Sequence, residues 1–398
     1  MRRPAVLFLV FLALLLLTTG CWSRRELNDL AIVTAIGVDK IDNKVHLSVQ
    51  VADPGEVAAQ KATSGRAPVT MYHAKGDTVF EAIRRMTTVT PRKLYFAHLR
   101  IFVISEEVAR DGIGKILDLF SRDHEIRTDF YMVVSKGSSA KDVLSVLTPL
   151  EKIPATKLFT SLEVSEKAWA PTVSIQLDEL LSDLVSEGKQ AVMTGIRIQG
   201  DRQASKGRQN IEAIDPPSNL QYDGIAVFRK DKLIGWLNED ESKGFSDLTD
   251  RLNSSVIEIA CPKGGKMGVE IIRSETKVKG KVSGEKPEVE VSVHTEANVA
   301  DVECEVDLTK TKSIYDLEKR VEQVMKNNAE RAVSKAKQLQ SDVFGFGQAI
   351  HRSDPQYWKK AKKDWNKRFP DLAVKINVDV KIRRLGTISD SFLNKIKE

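Results

Sequence analysis

Leu99-Arg100-Ile101-Phe102-Val103-Ile104 is apolar at every position but one, and Ser105 follows at once. A short run of branched and aromatic residues ending in a helix-capping serine reads as a buried strand feeding a helix. That helix carries Val108, Ile113, Ile116, Leu117 and Phe120. The alternation continues on both sides. Upstream, Asp77 is placed to cap a helix bearing Val79, Phe80, Ile83 and Met86. Downstream, residues 128–135 read as a strand, 139–147 as a helix, 151–187 as mostly helical and 191–198 as a strand. Helices alternating with strands imply helices layered on a mixed sheet.

Before this layer lies a hairpin. Ile32, Thr34, Ile36 and Val38 alternate on one side of Asp42-Asn43, and Val45, Leu47, Val49 and Val51 on the other. After it, the polar stretch 200–218 with Asp215-Pro216-Pro217 reads as a domain boundary. A second hairpin comes next, 222–228 and 233–237 about Lys230-Asp231, then a short helix over 241–252 and a strand ending at Cys261. Pro262-Lys263-Gly264-Gly265 marks a further boundary. Beyond it, 269–282 and 289–302 are long strands joined through Gly284, and a helix opens at Ser313, with Asp316 completing a capping-box-like start. A basic helix from Pro355 puts Trp358, Ala361, Trp365 and Phe369 on one stripe, expected to pack on the alternating strand Val374, Ile376, Val378, Val380, Ile382. The expected fold is α+β: mixed α/β layers with largely antiparallel sheets, in three domains spanning 21–200, 201–262 and 263–398, after a leader at 1–20.

The 398 residues exceed one ordinary domain. With 41% hydrophobic and 29% charged residues the composition is neither disordered nor that of a polytopic membrane protein. The formal charge is +6, and loss of Arg2 and Arg3 with the leader lowers it to +4. So weak an excess argues against nucleic acid as a partner. The lysines of 358–369 read as the wet face of an amphipathic helix.

Met1-Arg2-Arg3 precedes thirteen apolar residues, Ala5 to Leu17. As a helix that run is roughly 20 Å long, short of a bilayer core, and reads as a signal-peptide h-region. Thr18-Thr19-Gly20 before Cys21 resembles a bacterial lipobox, with Thr18 where the pattern prefers Leu. That resemblance implies a diacylglyceryl thioether on the Cys21 thiol and cleavage before it. Plain secretion with a fortuitous cysteine is the competing reading. Arg24 and Arg25 are candidates to meet anionic headgroups or to bridge within the first domain. Cys261 and Cys304 read first as two small buried hydrophobes. Export would also permit a disulfide between them.

A search for catalytic chemistry finds none. Neither Gly264-Gly265 nor Phe344-Gly345-Phe346-Gly347 has phosphate-loop spacing, and no G-x-S-x-G or H-E-x-x-H occurs. The six histidines include no i, i+4 pair, so no metal site or cofactor is indicated. The densest polar cluster, Arg122-Asp123-His124-Glu125-Ile126-Arg127-Thr128-Asp129, reads as an ion-paired connection rather than an acid–base site.

Three stretches together resemble the C-subunit (Ger(x)C) lipoprotein family of spore germinant receptors. They are Cys21-Trp22-Ser23-Arg24-Arg25-Glu26-Leu27 running on to Gly37-Val38-Asp39, the 122–130 cluster ending at Lys136-Gly137, and Phe344-Gly345-Phe346-Gly347 with Trp358, Trp365, Phe369-Pro370 and the strand to Arg383-Arg384. The resemblance runs the length of the mature chain. It implies a non-enzymatic, three-domain lipoprotein on the outer face of the spore inner membrane, held in the bilayer through acylated Cys21. It implies integral-membrane A and B subunits as partners, nutrients as the signal and germination as the response. Arg24, Arg25 and Glu26 are its candidate membrane or partner contacts. The alternative function is a solute-binding lipoprotein delivering a small nutrient to a membrane transporter.

Overall fold

The computed structural model describes residues 29–58, 67–261, 264–304 and 306–385. Its first sheet is built from β1 (Leu30–Ile41), β2 (Lys44–Ala52), β3 (Val69–Gly76), β4 (Lys93–Tyr95), β5 (Ile101–Ser105), β6 (Tyr131–Ser135), β7 (Val192–Gly200), β8 (Ser218–Arg229) and β9 (Lys232–Leu237). The order is β3-β2-β1-β5-β6-β7-β8-β9, with β4 beside the start of β1. β1, β5, β6 and β7 run parallel, and antiparallel hairpins close both edges.

The central strands are apolar at nearly every position because both faces are covered. Phe102 and Ile104 of β5 join the larger core, while Ile101 and Val103 join a second core on the opposite face. The second core is closed by Ala155, Leu158 and Leu162 of the helix Pro154–Ala168 and by the helix Ala140–Leu144. The β1–β2 turn places Asp42 and Asn43 at φ 53° and 61°, as a two-residue hairpin of matching twist requires.

Three helix boundaries differ slightly from their sequence expectation. Thr78, not Asp77, caps the helix Val79–Met86, its hydroxyl accepting from the Glu81 N–H at 3.1 Å. The helix after Ser105 is two helices, Glu106–Asp111 and Gly114–Arg122, parted at Gly112 with φ 126°. The long helix Thr311–Gln338 begins before Ser313, with Lys310 at its cap position and no side-chain cap bond.

The second sheet has the order β10-β11-β12-β13, from β10 (Ser255–Ala260), β11 (Lys266–Ser283), β12 (Lys286–Val302) and β13 (Ala373–Arg384). β12 and β13 are parallel, and the chain between them includes Thr311–Gln338, which packs on β13 and against the helix Glu239–Leu248. The stretch 201–262, expected as a small middle domain, is divided between the sheets. β8 and β9 extend the first sheet and β10 opens the second. The polar connection 201–217 is therefore a loop between paired neighbours, Gly200 facing Ser218. Fully buried Asn210 pins it by donating to the Leu147 carbonyl at 2.7 Å and accepting from the Ser218 N–H at 3.0 Å.

Gly244 sits where Glu239–Leu248 crosses Thr311–Gln338, and a Cβ there would lie 2.2 Å from the Asn328 carbonyl oxygen. Gly244→Ala should cost about 2 kcal/mol or more, as forced overpacking does. Gly207→Ala, where the nearest atom is 3.7 Å away, is the control. Urea denaturation compares them, and an unshifted Gly244→Ala midpoint contradicts the account.

Candidate functional site

The segment 1–20 and the residues Cys21, Arg24, Arg25 and Glu26 lie outside the described residues. The first of the three family-like stretches ends, at Asp39, in a buried carboxylate cap. Asp39, near the carboxyl end of β1, accepts from the Ala140 N–H at 2.7 Å and the Lys141 N–H at 2.9 Å. It thereby holds the first turn of Ala140–Leu144 against the sheet. Burial raises the Asp39 carboxyl above the usual range, against the pull of the two N–H donors.

The second stretch is an ion-paired connection between the helix Gly114–Arg122 and β6. Arg122 pairs with Asp118 at 2.9 Å, Arg127 with Asp129 at 2.6 Å, and Lys93 with Glu125 at 3.0 Å. Ile126 and Phe130 anchor it in the core.

The third stretch is organised by a residue just ahead of it. Asp342 is fully buried. Its carboxylate accepts from the Phe346 N–H at 3.1 Å, the Gly347 N–H at 2.7 Å and the Trp365 indole N–H at 2.9 Å. It caps the helix Phe346–Ser353 and fixes Trp365 in one step. Burial still pushes its carboxyl up to about 6. Trp358 and Trp365 are both buried and lie at 5.1 Å in an edge-to-face pair. They close on Gly347, where a Cβ would meet either ring at 2.7 Å and the Gly188 Cα at 2.9 Å. Only glycine admits that approach. The Phe-Gly-Phe-Gly stretch is thus a joint between two units, the first sheet with its covering helices and the second sheet with its own.

Cys261 and Cys304 are bonded, with Cα atoms 6.4 Å apart. The expectation of two free buried thiols gives way to register. β10 and β12 flank β11, and their exits converge where β11 begins. There the Cys261 N–H donates to the Gly265 carbonyl and the Glu303 N–H to the Lys266 carbonyl.

Of the hollows among the described residues, two bear on function. Between the units, a cleft of about 230 Å³ is lined by Glu179, Lys189, Arg251, Phe344 and Arg352 among others. Most of its charges are matched: Arg251 pairs with Glu179 and Glu166, and Lys189 with Asp183. At the carboxyl ends of the parallel strands, a crevice of about 460 Å³ is lined by Asp39, His46, Glu106, Glu107, Ser138, Lys141 and Arg202 among others. Open α/β sheets commonly bind ligands there. The sequence alone signals neither hollow, because each gathers residues from several distant strands. Among the described residues no group of three or more His, Cys, Asp or Glu is poised to hold a metal ion. None of their helices is long and apolar enough to cross a membrane.

Comparison with known proteins places this geometry. Residues 23–198 match the family described as spore germination protein N-terminal domain, and 223–386 match spore germination B3/GerAC like, C-terminal. Spore germination protein KC of Bacillus subtilis (strain 168) is 31% identical, covering 100% of both chains. Spore germination protein B3 of the same organism is 25% identical over 97% of this chain and 99% of that one. The crystal structure of the GerBC protein superimposes with a TM-score of 0.56 at 20% identity, covering 87% of this chain and 96% of that one. The α+β architecture is therefore the fold of that structure. The chain belongs to the GerAC-like spore germination family.

Asp342 titrates higher in the folded protein, at about 6, than a carboxyl does in an unfolded chain, near 4. Its contribution to folding is full below about pH 4 and is lost as the pH rises through about 6. Between about pH 4 and about pH 7 the wild type should lose roughly 3 kcal/mol relative to Asp342→Asn, read from denaturation midpoints. A difference independent of pH contradicts the assignment. The disulfide spans a sequence separation of 43. Reduction should destabilise the protein by about 2–4 kcal/mol through loop entropy, and equal urea midpoints with and without reductant would count against it.

Proposed function

We propose that the chain is the membrane-anchored lipoprotein subunit of a spore nutrient germinant receptor, acting with integral-membrane A and B subunits to trigger germination. The observation that carries this reading is the end-to-end similarity to spore germination protein KC. The lipobox-like leader supports an anchor at acylated Cys21, on the outer face of the spore inner membrane. Two acyl chains hold durably where one would not. Cys21 precedes Leu30 by nine residues. Nine residues reach at most about 30 Å, so an anchor at Cys21 would keep the folded body close to the bilayer and to anything embedded in it. Arg24, Arg25 and Glu26 lie between Cys21 and Leu30 in the sequence and are the proposed contacts to headgroups or partners. Tethering raises the effective concentration of partner contacts without new interface area. The role is binding and assembly rather than catalysis.

A solute-binding lipoprotein serving a transporter is the second reading, favoured by the open crevice at the strand ends. Deleting the gene and following optical-density loss of purified spores across a nutrient panel separates the two. Under the receptor reading one nutrient response fails while a germinant that bypasses nutrient receptors still works. If every response survives, the solute-binding reading takes its place. Cys21→Ala should weaken receptor assembly through lost anchoring. Equal receptor abundance and an unchanged response in that strain would contradict it.

A further inference from the structure

The crevice at the carboxyl ends of β1, β5, β6 and β7 carries charges of both signs. Lys141 stands on Ala140–Leu144, packed on one face of the sheet, and Glu106 and Glu107 open Glu106–Asp111, packed on the other. Arg202, Asp39 and Lys40 also line it, and Lys40 pairs with Asp111. Glu106 is fixed in place by the Trp236 indole N–H at 3.2 Å and by Arg110 at 2.6 Å. Arg202 is held across the turn after β6 by donating to the Gly137 carbonyl at 2.6 Å, with further N–H donors to spare. Among the described residues, neither the Lys141 ammonium nor the Glu107 carboxylate has a hydrogen-bond or ion-pair partner. Ser138 Oγ and His46 Nδ1 are buried at the crevice without hydrogen-bond partners. His46 adds no charge at neutral pH, since burial first and Lys141 second lower its pKa.

Unmatched charges of opposite sign across one small hollow suit a molecule that carries both. A simple anion would face the two glutamates, and a neutral sugar would leave Lys141 and Glu107 unmatched. We propose that the crevice binds a small zwitterion of the free amino-acid class, its carboxylate against Lys141, Arg202 and Ser138 and its ammonium against Glu107. This names a ligand class for the receptor reading but is tested apart from it, because binding is measured on the isolated protein.

The full-length protein in detergent is titrated by calorimetry with the standard L-amino acids, with glucose and with inorganic phosphate. At least one amino acid should bind saturably. Its N-acetyl and carboxamide forms should bind about 10-fold more weakly or worse. Lys141→Gln and Glu107→Gln should each weaken binding by about 10-fold or more, with unchanged thermal unfolding showing that the variants fold. The inference is overturned if no amino acid binds up to about 10 mM, if the blocked forms bind equally well, if either variant keeps full affinity, or if glucose or phosphate binds in preference. A deletion strain that still answers every nutrient, beside intact amino-acid binding, would sink the receptor reading alone.

Discussion

One buried residue, Asp342, joins the two units: its carboxylate orders the second and its carbonyl meets the first. An ionised carboxyl in a dry interior is costly unless its lone pairs are met, and here three N–H groups converge on it. Two belong to the first turn of Phe346–Ser353 and the third to Trp365, so a helix start and a distant aromatic are set by one group. The backbone around Asp342 faces the first sheet. Its carbonyl accepts from the Gln190 N–H at 2.8 Å, and the Ser341 hydroxyl donates to the Phe228 carbonyl at 2.6 Å. The close approach of Gly188 to Gly347 is possible only with this alignment. The second sheet and its covering helices are thereby hung on the end of the first sheet rather than linked through a flexible connector.

Asp39 repeats the device on a smaller scale. It too is a buried carboxylate on the first turn of a helix, Ala140–Leu144, and it too fastens that helix to a strand. Stretches whose sequence suggests chemistry are largely fasteners of this kind. The 122–129 cluster is a third variant, held by exposed ion pairs and by two buried apolar anchors, Ile126 and Phe130. Exposed pairs contribute little each, so the anchors do most of the fixing.

Features set by near neighbours were legible in the sequence. The turns at Asp42-Asn43 and Lys230-Asp231, the strand ending at Ile104 and the cap at Ser105 depend on residues within a few positions of each other. Sheet membership was not legible. Residues 218–237 look like a self-contained hairpin because their own pairing is local, yet β8 also pairs with β7 across the polar loop 201–217. Asp342 was missed for the same reason. Its backbone donors are near, but Trp365 lies 23 residues on, and Gln190, whose N–H meets its carbonyl, comes from the other unit. The cysteines show the limit most plainly, since their meeting depends on the joint register of β10, β11 and β12.

The two ends of β1 stand for two different demands on the molecule. Its start, Leu30, is the end nearer in sequence to Cys21, the proposed anchor, and its finish, Asp39 to Ile41, borders the charged crevice. The nine steps from Leu30 to Asp39, at about 3.3 Å each, separate them by roughly 30 Å. Under the proposed anchoring at Cys21, a crevice that far from Leu30 would lie away from the end that leads to the bilayer. Any influence of an occupant on that end has β1 as its direct covalent route. β1 is buried along most of its length and paired on both sides, by β2 and β5, so it cannot shift alone. A signal along it would have to be carried as a movement of the sheet, and through the Asp342 joint, of the second unit with it.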